Sequence, residues 1–487
     1  MDDVAIAWFR RDLRLADNPA WAAATAHQVA LPVAVLEPRL VRAAGPHRLL
    51  AYFGALAGLE QSLNELDASL HVVVGDPIEV ISQLAVETGG ATVAVNADVT
   101  EYSMRRDAKV AEALGRPLDS HWGTLVHPPG SVLTGKGTLS QVFTPFWKRW
   151  QALPLPPAVG TGRVGVAGTV LAADLNFGPA GLTTISLAEA RSELERLGVS
   201  VPSVDDVPTT AAWSEPRAAE QLTTWLEQVD RYNEIRDGFD IAGTSELSSA
   251  LHFGLLSPRA IAAQVATGTA GRSAFVRQLA WRDWYSHLTY EHPDITRRAL
   301  RPAYDRIKWR TGAPADQDFK AWSTGRCGYP IVDAAMRQLS ATGWIHNRLR
   351  MIAASFLVKD LLIDWRRGEQ WFRRLLRDGD IAQNAGNWQW CAGTGPDASP
   401  YFRVFSPVTQ SRRYDPEGNY LRRWLPELAR LPNRQIHAPW DAPPQVLSVA
   451  GVRLGVDYPA PVVDHAQARQ RALDAYRCAL DTETDSA

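Results

Sequence analysis

Val4-Ala-Ile-Ala-Trp-Phe9 is apolar at every position, and Arg10-Arg-Asp-Leu-Arg-Leu-Ala-Asp-Asn18 follows it at once. A short run with no polar side reads as a strand buried on both faces, the habit of a parallel sheet. Outward from it, Leu31-Pro-Val-Ala-Val-Leu36 gives a second strand, and Leu49, Tyr52, Phe53, Leu56 and Leu59 fall at helical spacing. Strands at His71-Val-Val-Val74 and Thr92-Val-Ala-Val95 alternate with helices from about Pro77 and about Arg105. This alternation predicts an α/β domain with a parallel, Rossmann-like sheet. No G-x-G-x-x-G follows the first strand, so the dinucleotide fingerprint is absent.

A chain of 487 residues has room for two or three domains. The α/β domain is expected over 2–130, and a connector over 131–200, rich in Pro, Gly and Ala from Leu153 to Gly181. Helical periodicity then dominates, predicting an all-helical domain over 201–475 and a disordered polar tail over 476–487. A net charge of -2 excludes a global basic field, so any nucleic-acid binding must use a local patch. The three cysteines, Cys327, Cys391 and Cys478, have no ligand spacing, which argues against a disulfide framework and a metal site. No apolar run spans a membrane and no leader opens the chain, so a cytoplasmic protein is expected. The 18 tryptophans outnumber both Tyr and Phe, more than packing alone requires.

In the helical half, Asp378-Gly-Asp-Ile-Ala-Gln-Asn-Ala-Gly-Asn-Trp-Gln-Trp390 is too polar for an ordinary core helix. Asn384 and Trp388 share a helical face, whereas Trp390 points elsewhere. The stretch reads either as a capped helix start packed by tryptophans or as the wall of a pocket for a flat, redox-active ligand. Gly243-Thr-Ser-Glu-Leu-Ser248, with Tyr232 and Arg236 upstream, is either an anion cradle or a plain cap. Gln278, Trp281, Arg282 and Tyr285 share one face, aromatic and hydrogen-bonding where a core stripe would be aliphatic. In Gly343-Trp-Ile-His-Asn-Arg-Leu-Arg-Met351, Asn347 pairs in face with Met351 and His346 with Arg350. Arg350 is a partner for Asp378, and His346 reads as a core histidine rather than a catalyst. Ser411-Arg-Arg-Tyr414 and Leu421-Arg-Arg-Trp424 interleave Arg with aromatics, a weak nucleic-acid signal.

These residues resemble the photolyase/cryptochrome family, most closely the class I cyclobutane pyrimidine dimer photolyases of microbes. The likeness runs from Trp8-Phe-Arg-Arg-Asp-Leu-Arg-Leu15 to at least Pro432. It is strongest in Gly328–Leu339, Trp344–Met351, Asp378–Trp390 and Pro400–Pro407. It implies FAD, reduced and anionic when active, in the helical domain. Tyr232, Thr244, Ser245, Glu246, Leu247 and Ser248 would then hold the phosphate and ribityl side, and Phe275 and Gln278 would lie along the cofactor. Arg350, Asp378, Gly379 and Asp380 would flank the ring, with Asn384 facing its N5. Trp388, Trp365 and Trp309 match the family's electron-transfer chain. Trp281 and Trp390 would clamp a flipped-out dimer in UV-damaged DNA. Arg236, Arg282, Asn347, Arg348 and Gln410 would lie near phosphate or lesion, and Met351 against the dimer.

The resemblance implies light-driven splitting of the dimer, by a monomer, with the cofactor carrying the chemistry. Gln278 departs from the Glu usual in class I and resembles the (6-4) photolyase branch. That branch places histidines where this chain has Asn347 and Met351, so dimer repair is expected first. A blue-light cryptochrome receptor is the alternative from another class. Arg48 and Asp98 match positions that bind an 8-hydroxy-5-deazaflavin antenna, although His252 replaces a Lys there. Methenyltetrahydrofolate is the alternative antenna.

Overall fold

Five parallel strands form one sheet in the order β3-β2-β1-β4-β5. They are β1 Val4–Phe9, β2 Val29–Leu36, β3 His71–Val74, β4 Thr92–Asn96 and β5 Asp119–His121. The computed structural model describes residues 3–159, 185–201, 213–265, 268–397 and 400–481. β1 is central: Val4 pairs with Val29 on one side and Ala5 with Thr92 on the other. Every β1 residue after Val4 is buried, as a two-sided parallel sheet requires. Ile6, Trp8, Leu31, Val33, Val93 and Val95 meet in its core. Strand order reverses beside β1, so its Arg10-Arg11-Asp12 end and the Asn96–Asp98 end of β4 lie next to each other.

The chain forms two compact units, one of Met1–Arg231 with Ser245–Pro293, the other of Tyr232–Thr244 with Asp294–Ala487. None of the boundaries falls near residue 200. The long helix Ala270–Glu291 belongs to the unit with the sheet. The expected connector also contains helices, Phe143–Trp150 and Leu187–Arg196. Its residues from 160 to 181 lie outside the described residues. The C-terminal helix runs His465–Asp481 with Tyr476 fully buried, so the tail expected from 476 is helical as far as 481. Residues 482–487 lie outside the described residues.

The second unit is helical around one apolar core that includes Trp322, Leu339, Leu349, Phe356, Trp365, Phe372 and Trp388. Helix Asn347–Ser355 passes into a π-helical turn, Phe356–Asp360, closed by Leu361 N–H donating to the Phe356 carbonyl at 2.9 Å. The turn carries Lys359 inside, 1 % exposed. Its Nζ donates to the carbonyls of Ala392 (3.0 Å) and Tyr401 (3.3 Å) and sits 3.5 Å from the Tyr476 ring centre. Burial pushes this ammonium down to about 7. Among the described residues no helix is long and apolar enough to cross a membrane.

Candidate functional site

A small, open concavity lies in the helical unit, lined among others by Asn347, Arg350, Met351, Asp378, Asn384 and Trp388. The helix Ile381–Ala392 supplies its polar wall. Asp380 caps that helix by accepting from the Gln383 N–H at 3.0 Å, and Gly393 ends it in the left-handed conformation, φ 79°. Asn384 and Trp388 both line the concavity and Trp390 does not. Trp390 is half-buried against the apolar core instead.

Asn384 is held from below. Its Nδ2 donates to the Glu369 carbonyl and to Glu369 Oε1, both at 2.9 Å. Two acceptors on one side fix which end of the amide is nitrogen. Among the described residues nothing donates to Asn384 Oδ1. Glu369 is fully buried, and its Oε2 lies 3.5 Å from Arg373. The sequence held one signal for it: Trp365, Gly368, Glu369 and Phe372 are the buried stripe of their helix, and a carboxylate on such a stripe needs partners. Gly368 serves by lacking a side chain, since a Cβ there would overlap the Trp388 ring and the Leu357 side chain.

Arg350 and Asp378 form a two-pronged ion pair, 3.1 Å and 2.8 Å, and the Asp378 side chain is 2 % exposed. Asn347 and Met351 meet at 3.5 Å along the same wall. His346 does not share the Arg350 surface. It caps its helix, with Nδ1 accepting from the Arg348 N–H (3.1 Å) and Nε2–H donating to the Arg236 carbonyl (2.7 Å). Both nitrogens are committed, and burial pushes the imidazole down to about 4, so it is neutral at pH 7. Arg348 is paired with Asp237 at 2.6 Å and lies over the Tyr414 ring, while Arg236 lies over Tyr232. Gln410 is half-buried on helix Pro407–Tyr414.

Trp365 and Trp388 are buried in the apolar core and Trp309 packs against it. No ring contact joins these three among the described residues. Trp388 instead meets Phe372 and Trp322 edge-on, at 5.0 Å and 6.2 Å, and Trp309 meets Tyr476 edge-on at 6.0 Å. Trp322 and Tyr476 were not singled out in the sequence, where nothing distinguishes them from core aromatics.

In the sheet-bearing unit, the expected face of Ala270–Glu291 divides. Trp281 is half-buried and stacks on Phe143, whereas Tyr285 is buried. Gln278 Nε2 turns back to its own helix, donating to the Ala274 carbonyl at 3.0 Å. Arg282 donates to the carbonyls of Thr124 and Leu251, a structural use that sequence could not foresee. Phe275 is buried against Trp225. Ser245 sits in a turn where its carbonyl accepts from Gln221 and Glu246 adopts φ 52°. The helix from Ser248 runs only to His252. Asp98 is paired with Arg11 at 2.7 Å, and Arg11 also lies 3.4 Å from His252 Nδ1, placing a cation beside that histidine. Arg48 lies on helix Pro46–Asn64.

Two family models match: DNA photolyase over residues 5–160, and the FAD binding domain of DNA photolyase over residues 275–478. A deoxyribodipyrimidine photo-lyase of Agrobacterium fabrum is 37 % identical, with 98 % of each chain covered. A bacterial class III photolyase from Agrobacterium tumefaciens superposes with a TM-score of 0.85 at 35 % identity, 98 % of each chain covered. A Synechocystis cryptochrome also superposes at 0.85, with 28 % identity and 97 % and 99 % covered. The chain therefore belongs to the DNA photolyase family, carries that family's FAD-binding domain, and is a photolyase enzyme.

Proposed function

We propose that this enzyme repairs cyclobutane pyrimidine dimers in UV-damaged DNA under near-UV or blue light. The observation that carries the reading is the concavity of the helical unit. There an amide with an oxygen that no described residue donates to, a guanidinium–carboxylate pair and a buried indole line one polar-edged wall. These groups fit the redox-active edge of FAD, a flat ring with donors and acceptors along one side. When bound and reduced, FAD supplies the photoexcited electron that splits the two C–C bonds of the dimer and is then recovered, without net redox change.

The residues of this chain position and insulate. Asn384, locked by Glu369, presents an acceptor to a donor at the cofactor edge. Arg350 with Asp378 sets a fixed dipole beside it, and Asp380 is fixed by its capping role. Trp388, Trp365 and Trp309 pass electrons inward from the surface to keep the site reduced. We assign Tyr232, Thr244, Ser245, Glu246, Leu247 and Ser248 to the phosphate side by family likeness, with Phe275 and Gln278 along the cofactor. Trp281 and Trp390 clamp the extruded lesion, a step that is cheaper at a damaged pair. Asn347 and Met351 face it, and Arg236, Arg282, Arg348 and Gln410 serve the backbone. Asp98, Arg48 and His252 belong to an antenna site, which we assign to a deazaflavin.

Gln278 favours a second reading, repair of the (6-4) lesion. That chemistry needs an imidazole donor, and His346 is neutral with both nitrogens engaged. The cryptochrome of similar fold favours a third, a receptor that repairs nothing. An anaerobic assay of reduced enzyme on two oligonucleotides, one with a cyclobutane thymine dimer and one with a (6-4) photoproduct, separates all three. Light-dependent reversal of the first alone is expected. Reversal of the second alone would move the enzyme to the other branch. Reversal of neither, with FAD still photoreducible, would make it a receptor. Trp309→Phe is expected to abolish photoreduction of oxidised enzyme while pre-reduced enzyme still repairs; equal loss of both would remove Trp309 from the relay.

A further inference from the structure

The segment Leu139–Trp150 falls within the bounds expected for the connector, yet it is fastened along helix Ala270–Glu291 at four levels. The Trp284 indole N–H donates to the Ser140 carbonyl at 2.9 Å. Phe146 meets His287 edge-on at 5.3 Å. Asp283, fully buried, accepts from the Trp150 indole (2.8 Å) and from the N–H groups of Val126 (3.2 Å) and His127 (2.9 Å). The fourth level is Phe143, whose ring lies 3.6 Å from that of Trp281 with 11° between the planes.

That last contact differs in kind from the others. Trp281 also meets Trp284 edge-on at 5.3 Å and Tyr285 at a tilt, 5.7 Å. One indole face is thus covered by a parallel ring, and the residue as a whole stays half-buried. Phe143 is 1 % exposed, with the Arg277 guanidinium 5.3 Å from its ring centre. An isolated surface tryptophan turns about its side-chain bonds, and a base stacking on it must first stop that motion. A ring stacked at van der Waals distance removes that motion beforehand.

We propose that Phe143 is a positioning residue for lesion recognition. It holds the Trp281 plane fixed so that the exposed part of this half-buried indole receives an unstacked pyrimidine dimer without an ordering cost. The rest of the Leu139–Trp150 segment, anchored by Asp283 and Trp284, keeps Phe143 in place. The inference rests on the assignment of Trp281 to the lesion.

The test measures, in the dark and with reduced holoenzyme, the affinity ratio between a dimer-containing oligonucleotide and the same sequence undamaged. Phe143→Ala, Phe143→Leu, Phe143→Tyr and Trp281→Ala are compared, with FAD content and thermal unfolding as controls for folding. Phe143→Ala is expected to lower the ratio about tenfold, within the range that stacking on one base spans. Phe143→Leu keeps apolar volume without a planar face, so it should lower the ratio while FAD content holds. Phe143→Tyr keeps the ring and should restore the ratio. A ratio unchanged in Phe143→Leu while Trp281→Ala lowers it would overturn the positioning role and leave the clamp standing. A ratio unchanged in Trp281→Ala would overturn the proposal by removing the clamp beneath it.

Discussion

Trp388 and Trp281 show two opposite ways of installing an indole. Trp388 is 2 % exposed, met edge-on by Phe372 and Trp322, and lies where helix Trp365–Leu375 has no side chain at position 368. Trp281 is half-buried and stacked face to face on a single ring. An electron relay benefits from enclosure, since a dry, rigid surround needs little reorganisation. A platform for a base needs a free face, and its rigidity must come from behind. Enclosure suits one role and excludes the other.

The contrast breaks if the two tryptophans contribute alike to folding. Trp388→Ala is expected to cost about 3–5 kcal/mol in urea unfolding, as large-to-small changes of buried aromatics do. Trp281→Ala should cost less, about 2 kcal/mol, because the indole is only half-buried although it meets three other rings. Similar losses for both would mean that Trp281 is a core residue. Next in size, Asp378→Ala strands Arg350 beside the concavity and is expected to cost about 3 kcal/mol, the lower end for a broken buried pair because Arg350 is partly exposed. A loss of only a few tenths would show that water already solvates that pair. For function, Trp281→Ala should weaken dimer-containing DNA by about 1–3 kcal/mol, while Trp388→Phe should leave that affinity intact.

The expected effects on pH dependence both belong to the enclosed region. The folded His346 lies near 4 against an ordinary 6.5, so the folded state binds fewer protons than the unfolded chain between those values. Its contribution to stability is therefore intact above 6.5 and lost as pH falls toward 4. His346→Asn, which can still cap the helix, should flatten the unfolding free energy across that window. Lys359 is likewise held down, near 7 against 10.5, so stability should rise with pH from 7 to 10.5. Lys359→Met should remove that slope. An unchanged slope would show that the ammonium reaches water.

What was legible in the sequence follows physical period. The strands at Val4, Leu31, His71 and Thr92 announced themselves because both faces of a parallel strand are apolar. β5, Asp119-Ser-His121, did not, since it is a short polar edge. The shared face of Asn384 and Trp388 and the pairing of Arg350 with Asp378 were readable from helical spacing and from the cost of an unpaired charge. Arg282 read as a ligand-facing cation, but its carbonyl partners lie about thirty and more than one hundred and fifty positions away, beyond any local pattern. Phe143 sits beside Pro-rich sequence that looks like linker, and contact with Trp281 alone gives it meaning.

Position 368 also bears on how such a chain can change over generations. Alanine cannot enter there while the indole of Trp388 fills the space beside it. A lineage that first trades Trp388 for something smaller leaves only the tip of the Leu357 side chain in the way, and alanine at 368 then gains the helix-forming advantage that glycine lacks. The reverse order is closed. The two sites are therefore expected to drift as a ratchet: once the indole is lost and 368 has filled, the original tryptophan has no room to return.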